Sequence, residues 1–487
     1  QTGTITLVSR RSAAEGGTGG NDVSEVSGIS ADGRYVAFSS DADNLSASDV
    51  NAHVNVFVRD THTATTILVS RQSAADGGDG GDGQSAFASM SADGRYVAFG
   101  SSATNLAADD DNGETDIFVR DLQTNATTLV SRRSALSGNG PANDSSFNAD
   151  ISADGRYVAF ESSADNLSSI DDNAVFNVFV RDLQTGSVRL VSRRSAGGPD
   201  GGDGGNGHSR RPSLSADGRY VAFDSEADNL SDEDDNAVMD VFVRDLEQDT
   251  TTLASRQSGA GAGADGESRD AVLSPDARLL AFESEADNLS TDDNGNAGDV
   301  FVRDLQTGAI ALASRRSASD GGTGGDDDSG GAAFSGDGRY LGFHSGADNL
   351  SALDSDGVFD VFRRDLFGPG GVTGDPGGPP GADTTRPKLS KLSLSRRRFA
   401  RGHATRLRFE LSEAADVRIE VRRRKAGHYR KIGVLRKRNR DAGRNSIRIA
   451  GRLRGKALKQ GRFQFVLTAT DDAGNRSVPK KLRFRIV

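Results

Sequence analysis

Residues 30–60 read SADGRYVAFSSDADNLSASDVNAHVNVFVRD, and the two ends of this stretch decide the fold. The first phrase, SADGRYVAF at Ser30, returns at Ser91, Ser152 and Ser215, then as SPDARLLAF at Ser274 and SGDGRYLGF at Ser335. Its Asp residues, Asp32, Asp93, Asp154, Asp217, Asp276 and Asp337, are spaced by 61, 61, 63, 59 and 61 residues. The second phrase, NVFVRD or a close variant, ends at Asp60, Asp121, Asp182, Asp245, Asp304 and Asp365. A period this regular marks a repeat architecture.

Each repeat holds four strand candidates. In the first, strand A covers roughly residues 25–30, strand B is RYVAFSS, strand C is VNVFVRD and strand D is TTILVSRQ. Apolar and polar residues alternate along B and C, as half-buried strands require. The Asp-Gly step between A and B supplies the positive φ of a tight hairpin. Blade five carries Ala277 there, so its turn should be strained or different. Four short antiparallel strands per repeat fit a propeller blade, and propellers commonly have ~4–8 blades. Helical periodicity is scarce, and the expected fold class is all-β. The sixth repeat lacks a strand D, whereas residues 4–12, TITLVSRRS, are an orphan copy of one. The expectation is that they pair with strand C of blade six and close the ring, which removes an exposed edge.

These phrases resemble the TolB-type six-bladed propeller, whose repeats carry an S-x-D-G-[KR]-x-[IVL]-A-F strand and a D-[IV]-[FY]-V-x-D strand. The resemblance covers residues 1–366 and implies the fold. It implies function poorly, because propellers host many activities. Related propellers occur as periplasmic interaction modules and as gating domains of serine peptidases, but this chain has no G-x-S-x-G elbow.

The net charge of −11 conceals a division: residues 386–487 hold 32 of the 59 Lys+Arg and 7 of the 70 Asp+Glu. That part carries +25 and residues 1–385 carry −36. Such asymmetry marks a domain boundary and different partners. The reading is a propeller over 1–366, a linker over 367–387 with five of the ten prolines, and a basic β-sandwich over 388–487. Seven short strand candidates in the last segment, with the closing turn DDAGNRS at Asp471–Ser477, resemble Ig-like or fibronectin-like domains of secreted bacterial proteins. The chain has no Cys, so no disulfide or Cys-based zinc site. No apolar run approaches the ~18 residues of a membrane span. With Gln1 at its start, the chain reads as an exported protein, extracellular, periplasmic or on the cell surface, whose leader is removed before Gln1.

Symmetry filters the candidates for function, since a single active site occurs once while a structural residue recurs in every blade. The strand C arginines, Arg59, Arg120, Arg181, Arg244, Arg303 and Arg364, read as members of Arg–Asp pairs, and the repeated Asn-Leu step as a turn plus a packing Leu. The loops between B and C show a D-x-[ND]-x-x-x-[DN] pattern, with Asp49 and Asn51, Asp110 and Asn112, Asp171 and Asn173, Asp234 and Asn236, Asp293, and Asp354 and Asp356. Clustered oxygens of this kind could hold Ca²⁺. Asp, Asn and Gly are also ordinary turn residues, so solvated turns stand beside calcium as a reading. The least symmetric polar residues near strand A are Glu25, Asn148, His208, Arg210, Arg211, Arg269 and Asp270, candidates for a ligand site at the channel mouth. In the basic segment, Arg422, Arg423, Arg424, Arg436 and Arg438 are the candidates for binding anionic polymer. The missing aromatic platform argues against nucleic acid.

The functional expectation is an exported, non-enzymatic binding or scaffold protein whose partner is a protein or an anionic cell-surface polymer. One alternative is homo-assembly by head-to-tail contact. Another is a hydrolase or lyase working in the channel, which a compact, non-repeated acid/base or metal cluster at the mouth would favour.

Overall fold

The computed structural model describes residues 5–367 and 388–487, apart from 50, 135–137, 139, 172, 196–201, 235, 260, 294, 296, 318–321, 352, 355, 356, 401, 402, 404, 413, 414, 426, 427, 441, 442, 450, 451, 454, 455 and 471–476. The chain is all-β and forms two compact units, residues 1–374 and 375–487. The proposed linker therefore lies outside the described residues, save Phe367.

The first unit is a β-propeller. Blade one consists of strands A (Ser24–Ile29), B (Tyr35–Ser40), C (Asn55–Asp60) and D (Thr65–Leu68), paired antiparallel in chain order. The following A strands are Ser85–Met90, Ser146–Ile151, Ser209–Leu214, Ser268–Leu273 and Ser329–Phe334. The B strands are Tyr96–Ser101, Tyr157–Ser162, Tyr220–Ser225, Leu279–Ser284 and Tyr340–Ser345. The C strands are Asp116–Asp121, Asn177–Asp182, Asp240–Asp245, Asp299–Asp304 and Asp360–Asp365. Strand D follows in blades two to five as Ala126–Leu129, Ser187–Leu190, Thr250–Leu253 and Ile310–Leu312.

The core lies between blades. One face of a blade presents small or branched residues, and the next blade presents Phe and Leu: Ala98, Ile117, Val119 and Val130 meet Phe160, Leu167, Phe179 and Leu190. Within each blade the two Phe rings of B and C stack with centroids 5.6 to 6.0 Å apart.

The repeated polar residues hold this frame. In the A–B turn, Asp32 Oδ1 accepts from Ser30 Oγ (2.7 Å) and from the Arg34 amide (3.0 Å). Arg34 then reaches Asp60 at the end of strand C, with its guanidinium over the Tyr35 ring. The same Arg–Asp bridge recurs as Arg95–Asp121, Arg156–Asp182, Arg219–Asp245, Arg278–Asp304 and Arg339–Asp365. The turn glycine is required twice over: Gly94 has φ +73°, and an added Cβ would fall 2.3 Å from the Tyr35 ring of blade one. Ala277 keeps the same turn at φ +54°, so the strain expected there is present.

The strand C arginines correct their expected role in part: Arg244 does pair with an Asp, Asp249, but the shared contact is with backbone. Arg120 donates to the carbonyls of Arg71 and Gln72 in the strand that arrives from blade one, and to Thr127 Oγ1 (2.8 Å). It clamps two blades together through backbone oxygens that lie beyond the end of strand D, and Thr127 Oγ1 bonds the Arg71 carbonyl as well. Arg59 and Arg303 do the same. Asn44, Asn105, Asn166, Asn229, Asn288 and Asn349 each donate to a carbonyl of the neighbouring D–A loop, so the Asn-Leu step is structural as expected.

Closure by residues 4–12 is corrected as well. Among the described residues blade six has three strands, and 5–9 form none. Arg10 bridges Gly19, Ser12 bonds Thr66, and Val8 packs on Phe38, Phe57 and Leu68 of blade one. Blade one thus holds residues 8–12 as each blade holds the tail of the strand before it, for Ser73 bonds Thr127 in the same way. Ile5 and Leu7 stay exposed, and on blade six Val358, Phe359 and Val361 are uncovered, Val361 at 85%. The equivalent valines in blades three to five, Val178, Val241 and Val300, are fully buried.

The second unit has a three-stranded sheet, 389–394, 405–411 and 443–449, and a five-stranded sheet, 398–399, 480–486, 461–470, 415–425 and 428–440. Both contribute to one core, with Leu407, Phe409 and Ile447 from the first and Ile419, Phe465 and Phe484 from the second. The seven expected strands are all present. Of the DDAGNRS turn only Ser477 lies within the described residues, where its hydroxyl accepts from the Ala469 amide. Among the described residues no helix is long and apolar enough to cross a membrane.

Candidate functional site

The six A strands surround a cavity of about 1010 Å³ in the middle of the propeller. Its wall is built by one device. In blades two to six strand A bulges in its pairing with B, and the residue inside the bulge takes the left-handed conformation. These residues are Phe87 (φ +55°), Asn148 (+51°), Arg211 (+51°), Asp270 (+53°) and Gly331 (+64°). A non-glycine residue held there costs of order 1–3 kcal/mol, and such strain gathers at functional sites. Gly331 shows that this backbone accepts glycine, yet three of its counterparts carry amide or charged side chains into the cavity.

The same height on strand B does not keep to the repeat: Ser39, Gly100, Glu161, Asp224, Glu283 and His344. Carboxylates appear only in blades three to five, and each receives the bulged amide of the next blade. Arg211 N donates to Glu161 Oε2 (2.7 Å), Asp270 N to Asp224 Oδ2 (2.9 Å) and Gly331 N to Glu283 Oε1 (2.7 Å). Arg211 stands 3.2 Å from Asp270 Oδ1 and 3.6 Å from Asp224 Oδ2. Asn148 Nδ2 donates to Glu161 Oε1 (3.0 Å). Deeper in, Asp150 accepts from Ser89 Oγ and from the amides of Leu214 and Ile151.

Burial sets the charge state. Asp224 is pushed up to about 7, chiefly by desolvation, against the pull of the Asp270 amide. Burial likewise raises Glu283 and Asp150. A carboxyl group near neutrality can donate or accept both a hydrogen bond and a proton. On the opposite wall Phe87 is largely exposed at the mouth beside Val26. The cavity therefore has an acidic, donor-seeking side and an apolar side.

Of the residues singled out in the sequence, Glu25, Asn148, Arg211 and Asp270 line this cavity. Arg269 sits behind the wall, 3.1 Å from Glu285 and 3.8 Å from Glu283. His208 belongs elsewhere: its Nδ1 accepts from the Phe176 amide (3.0 Å) and its ring lies against Phe176. It precedes strand A by one residue, so its side chain faces the B–C loop. Sequence reasoning passed over Asp150, Glu161, Asp224, Glu283 and His344. The signal was present, because the residue after VAF in strand B is the one position of that phrase that differs in nearly every blade.

Among the described residues no three His, Asp or Glu side chains converge as a metal site. In the B–C loops Asn51, Asn112, Asn173 and Asn236 instead tie to the carbonyls of Gly81, Ala142, Gly205 and Ala264. Asp49, Asp110 and Asp171 are buried, Asp234 accepts from the Asn236 amide, and Asp293 accepts from the Gly295 amide. Asp354 has its amide on Ser351, and Asp356 lies outside the described residues.

Arg422 pairs with Glu420 on one face, while Arg423 points to the other, against the Gln460 carbonyl and the Phe463 ring. Arg424 is exposed near the hairpin end, and Arg436 and Arg438 lie on the partner strand 428–440.

No family model matches this chain, and no curated protein does. Among solved structures it is similar to TolB from Agrobacterium tumefaciens, at 14% identity over 60% of this chain and 80% of that one, with a TM-score of 0.36. It is also similar to prolyl oligopeptidase B from Galerina marginata, at 9% identity over 80% of this chain and 48% of that one, with a TM-score of 0.39. A third is the α-L-arabinofuranosidase Arb93A from Fusarium graminearum, at 9% identity over 72% and 94%, with a TM-score of 0.33. At this distance no residue of theirs maps onto a residue here. Two of the three are hydrolases by name. The expectation that this chain is not an enzyme is withdrawn on the channel mouth itself. The mouth holds the compact, non-repeated acid/base cluster taken above as the mark of the alternative.

Proposed function

We propose that the propeller binds a small polar ligand at the mouth of its channel, held by Arg211, Asp224, Asp270 and Glu283 with Asn148 and Glu161 beside them. The ligand is rich in hydrogen-bond donors, as hydroxyl or ammonium groups, and has an apolar face for Phe87 and Val26. The observation that carries this reading is the strained ring: Asn148, Arg211 and Asp270 occupy left-handed positions where blade six has glycine. Stability alone would favour glycine at each. Whether the ligand is held or transformed is a question for the cluster's proton chemistry, for which Asp224, pushed up to about 7, is suited at neutral pH.

The test is a panel of saccharides, amines and dipeptides, read as shifts in melting temperature of the full chain. Compounds that stabilise the wild type by mass action should lose their effect on Arg211→Gly, a change the backbone accepts. Equal shifts in both proteins would place the ligand elsewhere.

For the second unit, the charge of +25 on residues 386–487 supports contact with an anionic polymer, such as a cell-surface glycopolymer, outside the cell. Binding should fall steeply with salt. Size measurement across a salt series separates this from head-to-tail assembly, in which particle size itself would fall as salt rises.

A further inference from the structure

The six B–C loops look alike in sequence but differ in one chemical respect at the first residue of strand C. In blade one this residue is Asn55, whose Nδ2 donates to Asp49 Oδ1 and to Asn51 Oδ1, both at 3.0 Å. Its Oδ1 accepts from Ser70 Oγ (2.8 Å). Blade three repeats the arrangement: Asn177 donates to Asp171 Oδ1 (3.0 Å) and accepts from Ser192 Oγ (2.8 Å). One oxygen of the loop carboxylate, Oδ1, is therefore answered by an amide in these blades.

In blades two, four and five the residue is Asp116, Asp240 or Asp299. The serine contact persists, with Ser131, Ser255 and Ser314 donating to the Oδ1 atoms. The other oxygen now stands where the amide nitrogen stood, so a carboxylate faces the loop Asp in place of a donor. The result is visible on one partner in blade two and on the other in blade five. Asp110 is 7% exposed and Asp299 is 1% exposed, and among the described residues Asp110 Oδ1 and Asp299 Oδ2 have no hydrogen-bond donor. Asp110 lies close enough to Asp116, and Asp293 to Asp299, for the carboxylates of each pair to repel one another. Asn112 donates to both Asp116 Oδ2 (2.9 Å) and the Ala142 carbonyl (2.8 Å), so further oxygens converge on the same spot.

In blade two both carboxylates are buried, and in blades four and five the strand C one is, with the loop Asp half-buried; carboxylates set together in this way need a proton or a cation between them. We propose that blades two, four and five each bind a divalent cation of the calcium class between the pairs Asp110/Asp116, Asp234/Asp240 and Asp293/Asp299, and that blades one and three do not. Hard oxygen donors select such an ion, and water completes the 6–8 oxygens it takes. The Asn112 amide turns its oxygen inward when the ion is present. In blade six Asp360 is exposed, so its loop forms no closed site. This inference is independent of the channel mouth.

The experiment is calorimetric titration of CaCl₂ into the chelator-treated full chain, with melting temperatures in parallel. The wild type should bind three Ca²⁺ and melt higher with calcium than with chelator, and Mg²⁺ should do less. Asp116→Asn, Asp240→Asn and Asp299→Asn should each remove one equivalent. Each should also raise the melting temperature in chelator, because the amide restores the missing donor. Asn55→Asp should add a fourth site. Absence of calcium binding by the wild type, an unchanged stoichiometry in the three Asn variants, or no gain from Asn55→Asp would each overturn the proposal. The three single variants and the gain-of-site variant are read independently, so the test stays decisive if one of them fails to fold.

Discussion

Val300 and Val361 occupy the same position of strand C in blades five and six, yet Val300 is fully buried and Val361 is 85% exposed. Val300 packs with Leu279, Ala281 and Val302 against Leu341 and Phe343 of the following blade. Among the described residues nothing covers Val361 in this way. Changing Val to Ala deletes two methyl groups, each worth ~0.8 kcal/mol in transfer, and leaves a cavity that adds to the loss. Val300→Ala should therefore cost about 2 kcal/mol. Val361→Ala removes nothing from water and should stay within about 0.5 kcal/mol. The change in β propensity is common to both and cancels in the difference. Five of the six Tyr residues are in the propeller and there is no Trp, so tyrosine fluorescence in a urea titration reads this unit. Similar shifts in midpoint for the two variants would mean that blade six is covered in solution, and that residues 4–9 or blade one close over it.

Two further predictions rest on local geometry and charge. Ala277→Gly, at φ +54° in a turn where the other blades have glycine, should stabilise by roughly 0.5–1 kcal/mol, seen as a higher urea midpoint. For pH, Asp116 and Asp299 rise from an ordinary 3.8 to about 7 on folding, so the folded state holds more protons in that interval. Their contribution to stability is complete below about 4 and is lost as pH rises towards 7. Asp182, lowered to about 2 by Arg156, acts oppositely: its contribution is complete above 3.8 and is lost as pH falls towards 2. With chelator present, unfolding midpoints should therefore decline from pH 5 to 7, and a flat profile over that range would show that the paired carboxylates do not titrate.

The architecture was legible because propeller stability is built from repeated short-range rules. The Asp-Gly turn, the Arg34-to-Asp60 type bridge and the Asn44 type tie each recur with the period, so one blade explains the rest. Ring closure was not legible, because the tail bonds of Ser12 and Arg10 fix residues 8–12 on blade one without fixing what residues 4–7 pair with. At the channel mouth the sequence offered the A-strand side of the cluster, Asn148, Arg211 and Asp270. It withheld the B-strand side, since Glu161, Asp224 and Glu283 become neighbours of the next blade only through a bulge that sequence does not announce. His208 misled for the converse reason: it is unusual in sequence, but one residue outside the strand its side chain turns away.

The proposal that the strained ring at the channel mouth serves a ligand, and not the fold, comes down to one comparison. The measurement that tests it most directly is the melting temperature of the Asn148→Gly, Arg211→Gly, Asp270→Gly variant with and without the compounds that stabilise the wild type. Relief of left-handed strain should offset the lost ion pairs of Arg211, so the account predicts a melting temperature at or above wild type and no ligand-induced shift. A variant that melts far lower on its own, or that keeps the wild-type shift, would contradict it.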